Sequence, residues 1–163
     1  MKRMILLSLF CLAGVVMANA QRFALIDMEY IMENIPEYQQ ANNELELASQ
    51  QYQKAVEAKA KEAEALYLAY QKAANTLSAT QRTQKEEAIV AKEREAAELR
   101  KKYFGPEGEM AEKQEALIAP IQNRIYEAVK QISTQKGYDA VIDRASATSI
   151  IFASPRIDIS NEV

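Results

Sequence analysis

Histidine and tryptophan are absent from this 163-residue chain, and cysteine occurs once, at Cys11. Without histidine, the commonest general acid–base and the commonest metal ligand are missing. Cys11 sits in an apolar leader that is expected to be cleaved, so the mature chain has no thiol for disulfides or nucleophilic chemistry. Carboxylates remain as possible ligands for a hard cation, but no Asp-rich loop of the calcium-binding type occurs. No nucleotide-binding motif is present. These absences predict a protein that is not an enzyme and carries no cofactor or metal. Glycine and proline are scarce, at four each, which leaves long stretches without helix breakers.

What is present begins with a leader. Lys2 and Arg3 form a basic start, Ile5 to Met17 an apolar run, and Ala18-Asn19-Ala20 a small-residue cleavage site before Gln21. The run is shorter than the roughly 20 residues needed to span a membrane. Cys11 follows Phe10 inside the run, which does not fit a lipoprotein signal. Residues 1–20 are therefore read as a cleaved signal peptide and the protein as secreted. Losing Lys2 and Arg3 takes the net charge from −3 to −5. An acidic chain argues against nucleic acid or an anionic membrane surface as partner.

Residues 36–135 read as almost unbroken charged, alanine-rich helix. Phe23 to Asp27 before it and Tyr138 to Asp143 after it read as strands. Such distant strands can meet only if the helical block folds back on itself. The fold class expected is α+β, mostly helical: a long antiparallel helical hairpin on a small antiparallel β body. Residues 21–36 supply the first strand and a short helix of the body, 37–104 the coiled-coil-like arm, and 105–163 the returning helix and C-terminal strands. On the ascending side Leu45, Ser49, Tyr52, Val56, Lys59, Ala63, Leu66, Tyr70, Ala73 and Leu77 form a heptad-like seam. The descending side offers Ile89, Ala96, Leu99 and Tyr103, and Lys59, Lys85 and Lys92 interrupt the seam. The tip is placed near 75–79, where Ser78 and Gln81 fit a capping box. Gly105-Pro106-Glu107-Gly108 should break the descending helix, Pro120 should bend the next one, and Gly137 should stop it. Ser149 to Ala153 is expected to pair with 138–143 across a turn, and Ile157 to Ile159 to follow an edge.

This arrangement resembles the Skp/OmpH family of periplasmic chaperones. The best carriers are Phe23-Ala24-Leu25-Ile26-Asp27-Met28, Lys136-Gly137-Tyr138-Asp139-Ala140-Val141-Ile142-Asp143, and the tail Ile150 to Ile159. The resemblance implies a homotrimer whose strands build a central body and whose arms surround a cavity. It implies an ATP-independent holdase that keeps unfolded outer-membrane β-barrel proteins from aggregating in the periplasm. The best-known members are strongly basic, whereas this chain is acidic, which puts lipid or lipopolysaccharide binding in doubt.

Leu66, Tyr67, Tyr70 and Leu77 are candidate client-contacting residues on the distal arm. The bland reading makes Leu66 and Tyr70 part of the seam. Phe23, Leu25, Val141, Ile142, Ile151 and Phe152 are candidates for the oligomer interface, or equally for the core of the body. The alternative function is a non-catalytic coiled-coil scaffold or spacer binding a folded envelope partner. A spacer should show regular heptads, and the broken seam favours loose arms and a holdase.

Overall fold

The computed structural model describes residues 21–147 and 149–163; the expected signal peptide and Cys11 lie outside them. The elements are β1 (Phe23–Ile26), α1 (Met28–Glu33), α2 (Pro36–Ala73), α3 (Ala79–Phe104), α4 (Glu109–Lys136) and β2 (Ala140–Asp143), followed by single 3-10 turns at Pro155–Ile157 and Ser160–Glu162. Two compact units result. One is Met32–Arg124; the other joins residues 21–31 to Ile125–Val163.

The helical unit is an antiparallel hairpin of α2 and α3. Pro36 opens α2 at a position where a missing N–H costs nothing. The 38 residues of this helix reach about 57 Å at roughly 1.5 Å each. The tip forms as the sequence predicts. The Ser78 Oγ accepts the Gln81 N–H at 3.3 Å, and the Gln81 side chain accepts the Ser78 N–H at 3.0 Å. Thr76 closes the preceding turn by donating both its N–H and its hydroxyl to the Ala73 carbonyl.

Val56 and Ala63 from α2 and Ile89 from α3 are buried between the helices, and Ala41 and Ala48 are buried nearer the start of α2. Small side chains at these positions let the backbones approach closely, so the seam is narrow and its larger members are only half-buried. Lys59 and Lys92 do not merely interrupt it. With Glu62 and Glu95 they close an ionic quartet across the hairpin, with N–O distances between 2.8 and 3.5 Å.

The break after α3 is a tight turn. Gly105 donates its N–H to the Lys101 carbonyl at 2.8 Å, and Gly108 donates to the Gly105 carbonyl at 3.0 Å. A Cβ on Gly105 would lie 2.4 Å from the Lys101 oxygen, so the site excludes any side chain. Lys102 reaches over the turn to Glu109 at 3.0 Å. The first part of α4 then continues antiparallel to α2, tied by Lys113 to Glu44 at 3.4 Å and by Arg124 to Glu37 at 3.1 Å. Pro120 is exposed, and α4 runs through it without interruption.

The second unit corrects two expectations. The sheet is parallel, not antiparallel: Phe23 to Ile26 pair in register with Ala140 to Asp143. The reason lies in α4. Its residues 125–136 cover roughly 18 Å at about 1.5 Å each, more than the roughly 13 Å of a four-residue strand. The helix therefore carries the chain back past β1 before Gly137 turns it, and β2 starts beside the start of β1. Gly137 has φ +67°, and the Tyr138 N–H reaches back to the Ser133 carbonyl at 3.0 Å, the Schellman closure that favours glycine.

The second correction concerns residues 149–153. Those described are not a strand and do not pair with β2. The other edge of β1 is met instead by the C-terminal segment, through a parallel bridge from Leu25 to Asp158 and an Ile159 N–H donated to the Leu25 carbonyl at 2.9 Å. The expected edge segment 157–159 is thus present. Ala24, Leu25, Ile26, Ile31, Ile125 and Ile159 form the core of this unit. Each large aliphatic side chain among them contributes about 1.5–3 kcal/mol on burial.

Candidate functional site

Among the arm residues singled out from sequence, Leu66, Tyr70 and Leu77 are half-buried along the hairpin. Tyr70 links the helices by donating its hydroxyl to Glu86 of α3. That bond, helped by partial desolvation, pushes the phenol above its usual range. Tyr67 lies off the seam and is 47% exposed, so of the four it is the one most open to a partner. Three exposed aliphatic residues escaped the sequence reading, Leu47, Leu68 and Val90, as did the aromatic Phe104. For the aliphatics the signal was present in the helical spacing, since charged residues lie three or four positions away: Glu44 from Leu47, Glu64 and Lys72 from Leu68, and Glu86, Glu87, Glu93 and Arg94 from Val90.

The proximal arm carries an aromatic cluster that periodicity alone does not reveal. The rings of Tyr52 and Tyr103 stack with centroids 4.1 Å apart and planes 7° from parallel, and Phe104 meets Tyr52 edge-on at 6.3 Å. Such contacts add stabilisation beyond their buried area. Glu109, the first residue of α4, accepts a hydrogen bond from Tyr52; this raises the Tyr52 phenol. The Lys102 ammonium, followed by Tyr52, holds the Glu109 carboxylate below its usual range. The cluster thus joins α2, α3 and the start of α4 where the chain is broken.

In the second unit the six interface candidates separate. Leu25 is buried within the chain's own core, and Val141 is half-buried. Phe23 and Ile142 are partly exposed, and Ile151 and Phe152 stand almost fully in solvent, at 101% and 84%. Large apolar side chains left this open are the kind of surface that oligomerisation covers.

Polar groups fasten the C-terminal segment beside this surface. Arg144 bridges the Asp27 carboxylate at 3.1 Å and that of Asp158 at 3.3 Å. The Ser160 hydroxyl donates to Asp158 at 2.6 Å and accepts the Asp27 N–H at 2.8 Å. The Ser160 hydroxyl and N–H, with Arg144 nearby, hold the Asp158 carboxyl below the usual carboxylate range. Tyr30 donates its hydroxyl to Asn161 at 2.8 Å, and Lys136 pairs with Glu162.

Both units contribute to the comparison with known proteins. The profile of a family described as outer membrane protein, OmpH-like, matches residues 22–163. The chain belongs to the OmpH-like family. The match takes in the strand pair, the hairpin and the closing segment, so membership concerns the whole described fold. Within reach of this OmpH-like chain is a protein named chaperone protein Skp, from Yersinia enterocolitica. The two are 25% identical over 152 residues, covering 93% of this chain and 89% of that protein. Among the described residues, no helix of this OmpH-like protein is long and apolar enough to cross a membrane.

Proposed function

We propose that this protein is an ATP-independent, non-catalytic holdase of the periplasm. It binds unfolded outer-membrane β-barrel proteins and prevents their aggregation during transit. The observation that carries this reading is the match to the OmpH-like family and to the Skp chaperone across nearly the whole chain. The arm supports it. An unfolded barrel strand exposes alternating apolar residues that pair and aggregate in water. Scattered apolar residues such as Tyr67, Leu68 and Val90, each weak alone, would supply avidity by number while leaving release easy. Leu66, Tyr70 and Leu77 would contribute their exposed edges. We assign the assembly surface to Phe23, Ile142, Ile151 and Phe152, with Leu25 and Val141 behind them, and propose a homotrimer. The cleaved signal peptide at residues 1–20 supplies the route to the periplasm.

The ionic quartet favours a second reading. Lys59 and Lys92, which looked like flaws in the seam, tie the helices together. A hairpin so fastened also suits a scaffold that spaces a folded envelope partner. One experiment separates the two. A urea-unfolded, tryptophan-containing outer-membrane barrel protein is diluted into buffer with and without the mature chain. The absence of tryptophan from this protein means that every indole signal belongs to the client. Suppressed light scattering with saturable emission changes, and no requirement for ATP, is expected. Unchanged aggregation across several such clients would refute the holdase and leave the scaffold.

A further inference from the structure

Two shallow grooves lie along the helical hairpin. The proximal one, about 250 Å³, is lined by Gln53, Val56, Glu57, Arg100 and Phe104. The distal one, about 420 Å³, is lined by Ala60, Ala63, Glu64, Tyr67, Glu93 and Ala96. None of the four residues of the ionic quartet lines either. The floors are small and apolar: Val56 lies in the first, and Ala60, Ala63 and Ala96 in the second. An exposed aromatic ring stands at each groove: Phe104, 42% exposed, in the first and Tyr67 in the second. The rims carry three carboxylates, Glu57, Glu64 and Glu93, against one cation, Arg100.

We propose that these grooves together form a binding track for one extended polypeptide segment. That segment carries apolar side chains at positions i and i+4 and lysine or arginine beside them. The inference rests on the holdase reading and adds which segments the arm selects. The spacing carries it. Along α2 the grooves are centred about eight residues apart, roughly 12 Å at about 1.5 Å per residue. In an extended chain, four residues span about 13 Å at roughly 3.3 Å each, and an even offset leaves both side chains on one face. A strand that alternates apolar and polar residues therefore places two side chains into two grooves. The carboxylate rim supplies the charge preference, because an anionic flank would face like charge at Glu64 and Glu93 and a cationic flank would be attracted.

The test uses the mature full-length chain and short tryptophan-containing peptides, followed by indole emission and anisotropy. One peptide alternates apolar and polar residues and has lysine flanks, a second has the same core with glutamate flanks, and a third has its apolar residues at i and i+3. The lysine-flanked alternating peptide should bind about tenfold more tightly than the glutamate-flanked one, a gap that shrinks in high salt. The i, i+3 peptide should bind less well than the alternating one. The double variant Glu64→Lys/Glu93→Lys should reverse the flank preference. Glu87→Lys/Glu98→Lys, with the same charge change on residues lining neither groove, should keep it. Equal binding of all three peptides, or equal effects of the two double variants, would overturn the proposal. If the chain still suppresses barrel-protein aggregation in that case, the holdase stands and the track falls. If it does neither, both fall.

Discussion

Replacing Gly108 by alanine puts a methyl group where three backbone atoms already stand. The new Cβ would lie 2.8 Å from the Lys102 carbonyl oxygen and 2.9 Å from both the Gly105 nitrogen and the Tyr103 carbonyl oxygen. None of these is the far end of a flexible side chain, so relief requires the turn between α3 and α4 to open. Opening it loosens the Lys102–Glu109 pair and the Tyr52–Glu109 contact that span the break. Overpacking of this kind costs about 1–3 kcal/mol. The alanine recovers roughly 0.4–1 kcal/mol by restricting the unfolded chain, which leaves a net loss of about 1–2 kcal/mol. With a urea dependence of about 1–3 kcal/mol per molar, the midpoint should fall by roughly 0.3–2 M. Far-UV circular dichroism reads this directly, because the affected unit is nearly all helix. Gly105→Ala, with its contact at 2.4 Å, should be worse. Gly137→Ala meets only the Arg22 guanidinium at 3.8 Å and should show the strain of φ +67° alone, about 1–2 kcal/mol before the same recovery. A Gly108→Ala midpoint indistinguishable from wild type would refute the tight-turn account.

Other outcomes follow from the polar contacts. Lys92→Gln removes the cation that both Glu62 and Glu95 share; the hairpin should melt earlier at low salt, and the difference from wild type should shrink in concentrated sodium chloride. Asp158 has its folded pKa depressed by Ser160 and Arg144. Its contribution is therefore fully present above the unfolded carboxyl value near 3.8 and is lost as pH falls through the lower folded value. Acid unfolding of the strand-bearing unit, followed by amide exchange at Leu25 and Ile159, should begin below about pH 4, and Asp158→Asn should make that unit weaker at neutral pH and less acid-sensitive. Arg144→Ala should release the C-terminal segment from Asp27 and Asp158, seen as faster carboxypeptidase trimming with unchanged helix content. Tyr52→Phe should remove one late-titrating phenol from an alkaline absorbance titration, because Glu109 holds the Tyr52 proton.

Much of the architecture could be read from residue order. The capping box at Ser78 and Gln81, the Gly105–Gly108 break and the Gly137 stop are local signals with local causes, and each appears where its residues stand. The strand sense could not be read in the same way. Parallel or antiparallel pairing depends on how far α4 overshoots β1, a property of accumulated helix length that no short pattern encodes. Ser149 to Ala153 has strand composition, yet the edge of β1 went to Asp158 and Ile159, where Arg144 and Ser160 add side-chain bonds that a hydrophobic pattern does not show. Lysines in a seam read as faults when helices are considered singly. Lys59 and Lys92 become linkers only when the register between α2 and α3 is known. The same register brings Tyr52 to Tyr103, and it places Val56, Ala63 and Tyr67 beside α3 residues to form grooves. The interface candidates were legible as apolar residues, but their division into core and surface depends on the pairing of β1.

The pairing of β1 also fixes an order of events. Its partners are Ala140 to Asp143 on one side and Asp158 on the other, so the strand made first must wait for more than a hundred later residues. The hairpin, built from neighbours across a short tip, can form while that wait continues. Until those later residues arrive, Leu25 and Ile26 lack their strand partners, and a chain that emerges amino end first carries a sticky, unpaired strand throughout that interval. A protein proposed to shelter unfinished strands thus passes through the same hazard itself, and its own folding would be the first it has to protect.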